Sequence, residues 1–321
     1  EDNTFHYRGV NPVHALPADT SGIVERGNRY LKTDESPWQN TTAASVPVFS
    51  LWGRPSDGDG PSTGRWGESG YGSCFFVWGV GTPSALSEWR AKQPKAILSK
   101  YVPFARDASL RNLSWWQAHH PSFILYQCDK RTPAYEFGDA NVPLDVSSPE
   151  VVQWQLNGSD NEYSAAKIAA AGYDAIAFDN FWTLRHMKKI GPCGVWKDGR
   201  WVQLFHNDSD PKIDDVQVAW IKAMYRGLQS IRTPSGKRLL AVPNYGVSGA
   251  TDPRADPQVL AIGNHSDAAL SECGFTGCGS ALSTDGVWLN KVRFMLQMQA
   301  GRKAYMETVY WDVHPQPSTS H

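Results

Sequence analysis

Two acidic side chains stand where buried strands end. The run YDAIAFDN (173–180) carries Asp179 at its close, and SDAALSE (266–272) carries Glu272. Side chains on a strand alternate between two faces. Ala175, Ala177 and Asp179 therefore share one face and Ile176 and Phe178 the other, while Ala268, Leu270 and Glu272 share a face of their own strand. If the small faces point into a barrel, both carboxylates look inward from the carboxyl ends of their strands, where barrel enzymes keep their active sites. Two carboxyl groups facing each other suit glycoside cleavage: one attacks the anomeric carbon and the other protonates the departing oxygen. Asp179, beside Asn180, is the expected nucleophile. Glu272, near Leu270, Cys273 and Phe275, is the expected general acid/base, because apolar surroundings help a carboxyl keep its proton. A retaining enzyme holds the pair ~5–5.5 Å apart and an inverting one ~6.5–9.5 Å. Taken singly, each acid could equally be a turn former or a helix cap.

Other strand ends supply polar groups in the same layer. Asn244, after LLAVP, could bind a sugar hydroxyl, orient the nucleophile or shape a turn. Asp129 and Lys130, followed by Arg131, are candidates for substrate binding, as are Asn180 and Glu307. Arg106, Asp107 and Asp312 are weaker ones, since surface ion pairs explain them. The 14 Trp and 12 Tyr matter because aromatic rings with a polar handle suit surfaces that are half wet and half apolar. Trp78, Trp182 and Trp311 at strand ends, and Tyr126 near the top of another strand, are the expected stacking residues. Trp115, Trp116, Trp154 and Trp220 read as packing residues on helices.

Competing motifs are missing. There is no Gly-rich dinucleotide or phosphate loop and no Gly-x-Ser-x-Gly elbow. His119 and His120 adjoin, a spacing that does not make a metal pair, and His186, His206 and His265 are scattered. Neither a metal nor a cofactor is expected.

To position the acids, short apolar runs alternate with amphipathic segments from residue 75 onward, the pattern of a parallel sheet with helices outside it. Strands are predicted at 75–81, 96–104, 123–129, 174–180, 239–245, 267–273 and 304–311. Helices are predicted between them, two ending at Gly172 and Gly301 in left-handed caps. The fold class is thus α/β, a (β/α)8 TIM-type barrel one strand short. The missing strand is either SVPVFSLWG (45–53) or beyond the Pro/Ser-rich end. Residues 1–74 form an N-terminal region with a long Gly/Pro-rich loop (54–73), and 75–321 form the barrel.

With 31 basic and 32 acidic residues, nothing draws the chain toward nucleic acid or an anionic membrane. No apolar stretch approaches the ~20 residues of a membrane span. The start at EDNTFHYRGV, without Met or signal peptide, matches a processed chain, so a secreted or periplasmic protein is expected. The five cysteines lack zinc-site spacing, and Cys273 and Cys278 could close a small disulfide loop.

The GYDAIAFDN run (172–180), the strand ending in Asn244 and the strand ending in SDAALSE (266–272) resemble barrel glycosidases of the endo-α-1,4-polygalactosaminidase type and related glycoside hydrolase families. That resemblance implies a barrel fold and a catalytic pair at Asp179 and Glu272. It covers 75–311 in layout and is sharp only in the Gly-Tyr-Asp-x-Ile-x-x-Asp-Asn run; the loops at 129–149 and 181–213 match no substrate-defining motif. The expected activity is retaining hydrolysis of a polysaccharide. One wall of the cleft would be the loop 181–213, with Trp196 and Trp201 on a small hairpin around Asp198-Gly199. The alternatives are a non-catalytic carbohydrate-binding barrel and a metal-dependent hydrolase using Asp107, Asp129 and Asp179.

Overall fold

A computed structural model describes residues 4–7, 29–32, 48–51, 74–135, 141–181, 191–206, 210–245, 252–272 and 285–307. The chain divides into two compact units, Glu1–Val48 with Arg65–Ser73, and Phe49–Gly64 with Cys74–His321. In the first, β1 (Thr4–Tyr7) and β2 (Arg29–Lys32) pair in parallel.

The second unit is mixed α/β. After β3 (Val48–Leu51) and β4 (Cys74–Trp78) comes α1 (Pro83–Lys92), whose start is dictated by Thr82 accepting the Ala85 N–H and by Pro83 in the first turn. Then follow β5 (Ile97–Pro103), α2 (Leu113–His119), the two-residue β6 (Tyr126–Gln127), α3 (Pro149–Asn157), α4 (Ala165–Ala170) and β7 (Ala175–Asp179). Strands β8 (Pro192–Lys197) and β9 (Arg200–Gln203) precede α5 (Lys212–Leu228) and β10 (Leu240–Pro243). Last come α6 (Pro257–Asn264), β11 (Ala268–Ser271), α7 (Asp285–Ala300) and β12 (Ala304–Glu307).

Four strands form a parallel sheet in the order β4-β5-β7-β10, with β3 beside β4 at its edge. Strand β7 is central, its Ala175 facing Ser99 on one side and Leu240 on the other. Beyond β10 the ladder thins to one parallel bridge between Asn244 and Leu270, flanked by the Tyr245 N–H donating to the Leu270 carbonyl at 2.7 Å. Strands β11 and β12 pair in parallel. The faces follow the alternation expected from the sequence. Ala175 and Ala177, Val242, and Ala268 and Leu270 join Phe76, Trp78 and Met306 in one buried apolar cluster. On the other face, Phe178 meets Trp220 of α5, whose buried residues Ile213, Gln217, Trp220, Ile221, Met224 and Leu228 recur at helical spacing.

One predicted strand does not join this sheet. Residues 123–129 were expected as its third member, but β5 pairs directly with β7. Pro121–Phe123 form a 3-10 turn, and the chain then reverses through a turn closed by Asp129. Strand β6 is left to pair antiparallel with β8, and a disulfide between Cys128 and Cys193, Cα atoms 5.0 Å apart, staples the two. Strands β8 and β9 make the expected hairpin, with Asp198 and Gly199 both at positive φ in its two-residue turn. Gly172 takes the predicted left-handed conformation after α4, whereas after α7 it falls on Arg302 rather than Gly301. Cys273 and Cys278 lie outside the described residues.

Candidate active site

Strand β7 ends in Asp179, and Asn244 and Glu272 directly follow the ends of β10 and β11, three of the strands that share the apolar cluster. Asn244 is the pivot. Its side chain is buried, and its amide nitrogen donates to Asp179 Oδ1 at 2.8 Å and to Glu272 Oε2 at 2.9 Å. Its amide oxygen accepts the Glu272 backbone N–H at 3.3 Å. Only this orientation of the amide meets all three partners, because carboxylates accept and a backbone N–H donates. The two acceptor oxygens can therefore be no farther apart than the two bonds laid end to end, about 5.7 Å. Among the described residues no salt bridge reaches either acid.

The chain matches no protein-family model and no curated protein. Its site must be read from its own geometry.

The two acids are held unequally. Asp179 is partly buried, and its Oδ2 also accepts from Asn180 Nδ2 at 3.2 Å. Asn180 reaches back because it sits at φ 53°, a left-handed conformation that asparagine tolerates better than most residues. The turn-forming role weighed for this Asp-Asn pair and its role in the site are thus one arrangement. The Tyr101 phenol stands in the same cluster: it accepts at 3.3 Å from Asn180 Nδ2, the nitrogen that also donates to Asp179 Oδ2. Burial foremost, then the charge of Asp179 and the bond to it, push the Tyr101 pKa upward, against the opposing pull of Arg106 and Asn180. Glu272 is exposed, and among the described residues Asn244 is its one side-chain partner. Of the apolar neighbours expected for it, Leu270 lies in the buried cluster and Cys273 and Phe275 lie outside the described residues; its distinction from Asp179 lies in how few donors hold it.

Tyr101 was missed from the sequence. The signal was there: in AILSKYVPF it shares strand parity with Ser99 and Pro103, which face Ala175 and Asp179 across the β5–β7 ladder.

The remaining predicted residues scatter. Asp129 folds onto its own turn, accepting from the Arg131 and Thr132 N–H groups at 2.9 Å each and the Thr132 hydroxyl at 2.6 Å, which together lower its pKa. It serves as a turn residue. Lys130 follows it at φ 63°, its carbonyl accepting from Trp196 and its ammonium 5.7 Å from the centre of the Trp201 ring. Tyr126 is buried on β6, off the parallel sheet, and burial raises its pKa. Trp78 belongs to the buried cluster with 1% exposure, so it packs and presents no ring to a sugar. Glu307 closes β12 opposite Ser271; its side chain, Trp182 and Trp311 lie outside the described residues. Asp107 is buried and accepts from the Ser109 and Arg111 N–H groups. Of the acids weighed as a metal set, Asp107 and Asp129 each close a turn of their own loop, and among the described residues no three metal-ligating side chains gather.

Proposed function

We propose that this chain is a glycoside hydrolase that cleaves a polysaccharide with retention, Asp179 acting as nucleophile and Glu272 as general acid/base. The observation that carries the reading is the Asn244 amide shared by both acids. It limits their nearest oxygens to about 5.7 Å, which fits the ~5–5.5 Å of a double displacement better than the ~6.5–9.5 Å that leaves room for an inverting water. In the first step an Asp179 oxygen bonds to the anomeric carbon as Glu272 gives its proton to the leaving glycosidic oxygen. In the second, Glu272 takes a proton from water, and the hydroxide displaces Asp179 from the sugar. The roles follow from the donors: Asp179 accepts from the side chains of Asn244 and Asn180, while the more lightly held Glu272 stands open to solvent.

Two features support the wider reading. Strands β4, β7, β10, β11 and β12 send side chains into one apolar cluster, as a sheet rolled into a (β/α) barrel requires. The Cys128–Cys193 disulfide suits a protein that works outside the reducing cytosol. No helix among the described residues is long and apolar enough to cross a membrane. The proposed chemistry needs no cofactor.

The deciding measurement is release of reducing ends from a panel of polysaccharides, with the anomeric configuration of the first product read by NMR. Retained configuration is expected. Binding without cleavage would favour the carbohydrate-binding alternative, and activity lost to a chelator and restored by metal would favour the metal-dependent one.

A further inference from the structure

Strand β5 bears no acid at its carboxyl end, yet it contributes to the site. Its last inward position, opposite Asp179, is Pro103, which has no donor to offer. The inward position below it is Tyr101, opposite Ala177. Two residues of strand rise about 6.6 Å, a gap the long tyrosine side chain spans to bring its hydroxyl beside the carboxylate. That hydroxyl accepts from Asn180 Nδ2 at 3.3 Å and feels the Asp179 carboxylate, which helps to raise its pKa. The same nitrogen donates to Asp179 Oδ2 at 3.2 Å, so the Asn180 amide bridges the phenol and the carboxylate. With Asn244 approaching Oδ1 from β10, the carboxylate is held from that side and from its own turn, and the amide of that turn also meets the phenol of β5.

We propose that Tyr101 is a positioning residue for the nucleophile: its phenol, steered by Asn180, fixes the Asp179 carboxylate in the orientation from which it attacks. This rests on the glycosidase reading above. The phenol stays protonated throughout and transfers nothing; it donates to Asp179 while that group is a carboxylate and more weakly once the glycosyl ester has formed. The charged and titratable groups around this contact are Asp179 itself, Glu272 through Asn244, and Arg106 beyond the end of β5.

The test is Tyr101→Phe, which keeps the ring and removes the donor. We expect kcat to fall on the order of 10- to 100-fold, with KM changed by less than about threefold. Without the phenol the site loses a donor that favours the charged form of the nucleophile, so the acid limb of kcat/KM moves to higher pH. A tyrosine that only packs would leave that limb in place. A second readout needs no activity. Asp179→Asn removes the negative charge and the acceptor that oppose Tyr101 ionisation, so in an ultraviolet titration one tyrosine should ionise at lower pH than in the unsubstituted protein. Adding Tyr101→Phe should abolish that difference. If Tyr101→Phe does not fold, Asn180→Gly, which suits the positive φ and removes the steering amide, should shift the acid limb in the same direction. An unmoved acid limb overturns the positioning role, and an unchanged tyrosine titration overturns the contact. A protein that cleaves no polysaccharide yet shows the titration difference loses the glycosidase reading, and the nucleophile's positioning with it, while keeping the contact.

Discussion

Strands β7 and β11 carry an acid at each end, and the two ends treat their acids in opposite ways. At the amino end, just ahead of the strands, Asp174 is bonded to Arg90 and accepts the Leu98 N–H at 2.9 Å. Asp267 takes both terminal nitrogens of Arg238, at 2.9 and 2.6 Å, and the Ala241 N–H at 2.8 Å. Each is a charged strap tying one strand to its neighbour. Five residues later on each strand, at the carboxyl end, Asp179 and Glu272 make no salt bridge among the described residues and share one neutral amide. A cavity of about 580 Å³, lined by Arg90, Lys95, Asp174, Lys237 and Arg238 among others, opens at the amino end. Its acid is already bonded to an arginine, so size alone does not mark where chemistry happens. On the proposed reading, partners separate a structural acid from a reactive one. The same residue type on the same strand goes either way.

If this contrast is real, the largest effects on turnover belong to the carboxyl end. Asp179→Asn and Glu272→Gln should each lower kcat by at least about 10³-fold while shifting the thermal midpoint little. Product release and calorimetry on the same preparations check both halves of that statement. A variant of either acid that still turns over substrate would remove the basis of the proposed function. Asn244→Ala should come next, lowering kcat by roughly 100-fold. It should also cost about 1–3 kcal/mol of stability, because the Glu272 N–H and the two carboxylates lose their common partner.

Much of this end was legible in the sequence because alternation is a local property. Ala175, Ala177 and Asp179 share a face whatever the rest of the chain does, and the same holds for Ala268, Leu270 and Glu272. Asn244 was visible as a polar strand end, although its role as a bridge depends on β10 lying between β7 and β11. What was not legible is non-local or ambiguous. A disulfide between residues 65 positions apart and a two-residue strand cannot be read from periodicity, so 123–129 looked like a member of the parallel sheet. Tyr101 resembles any strand aromatic until Asp179 is placed beside it. Trp78 has the composition of a stacking residue and the burial of a packing one.

At the amino end the expected signature is inverted. Asp267→Ala leaves Arg238 and the Ala241 N–H without their partner in a partly buried setting, at a cost of about 2–4 kcal/mol. For a domain of this size that lowers the melting temperature by roughly 5–10 °C. Turnover per folded molecule should stay the same, which active-site titration with a slow substrate would establish. A loss of kcat without a loss of stability would mean that the two ends are coupled through the strand and that the contrast is too simple.

The smallest effect is expected where a sequence-based site assignment meets a structural explanation, at Asp129. Its oxygens accept from two backbone N–H groups and a hydroxyl inside a four-residue turn, and no substrate is needed to account for it. Asp129→Asn keeps one acceptor oxygen for that turn. Turnover, KM and melting temperature should all stay within experimental error. If KM instead rises several-fold while stability holds, Asp129 touches substrate after all, and the cleft extends from the carboxyl end of β7 across the turn stapled by Cys128. The hairpin of Trp196 and Trp201, packed against that turn through the Lys130 carbonyl and ammonium, would then line the same cleft.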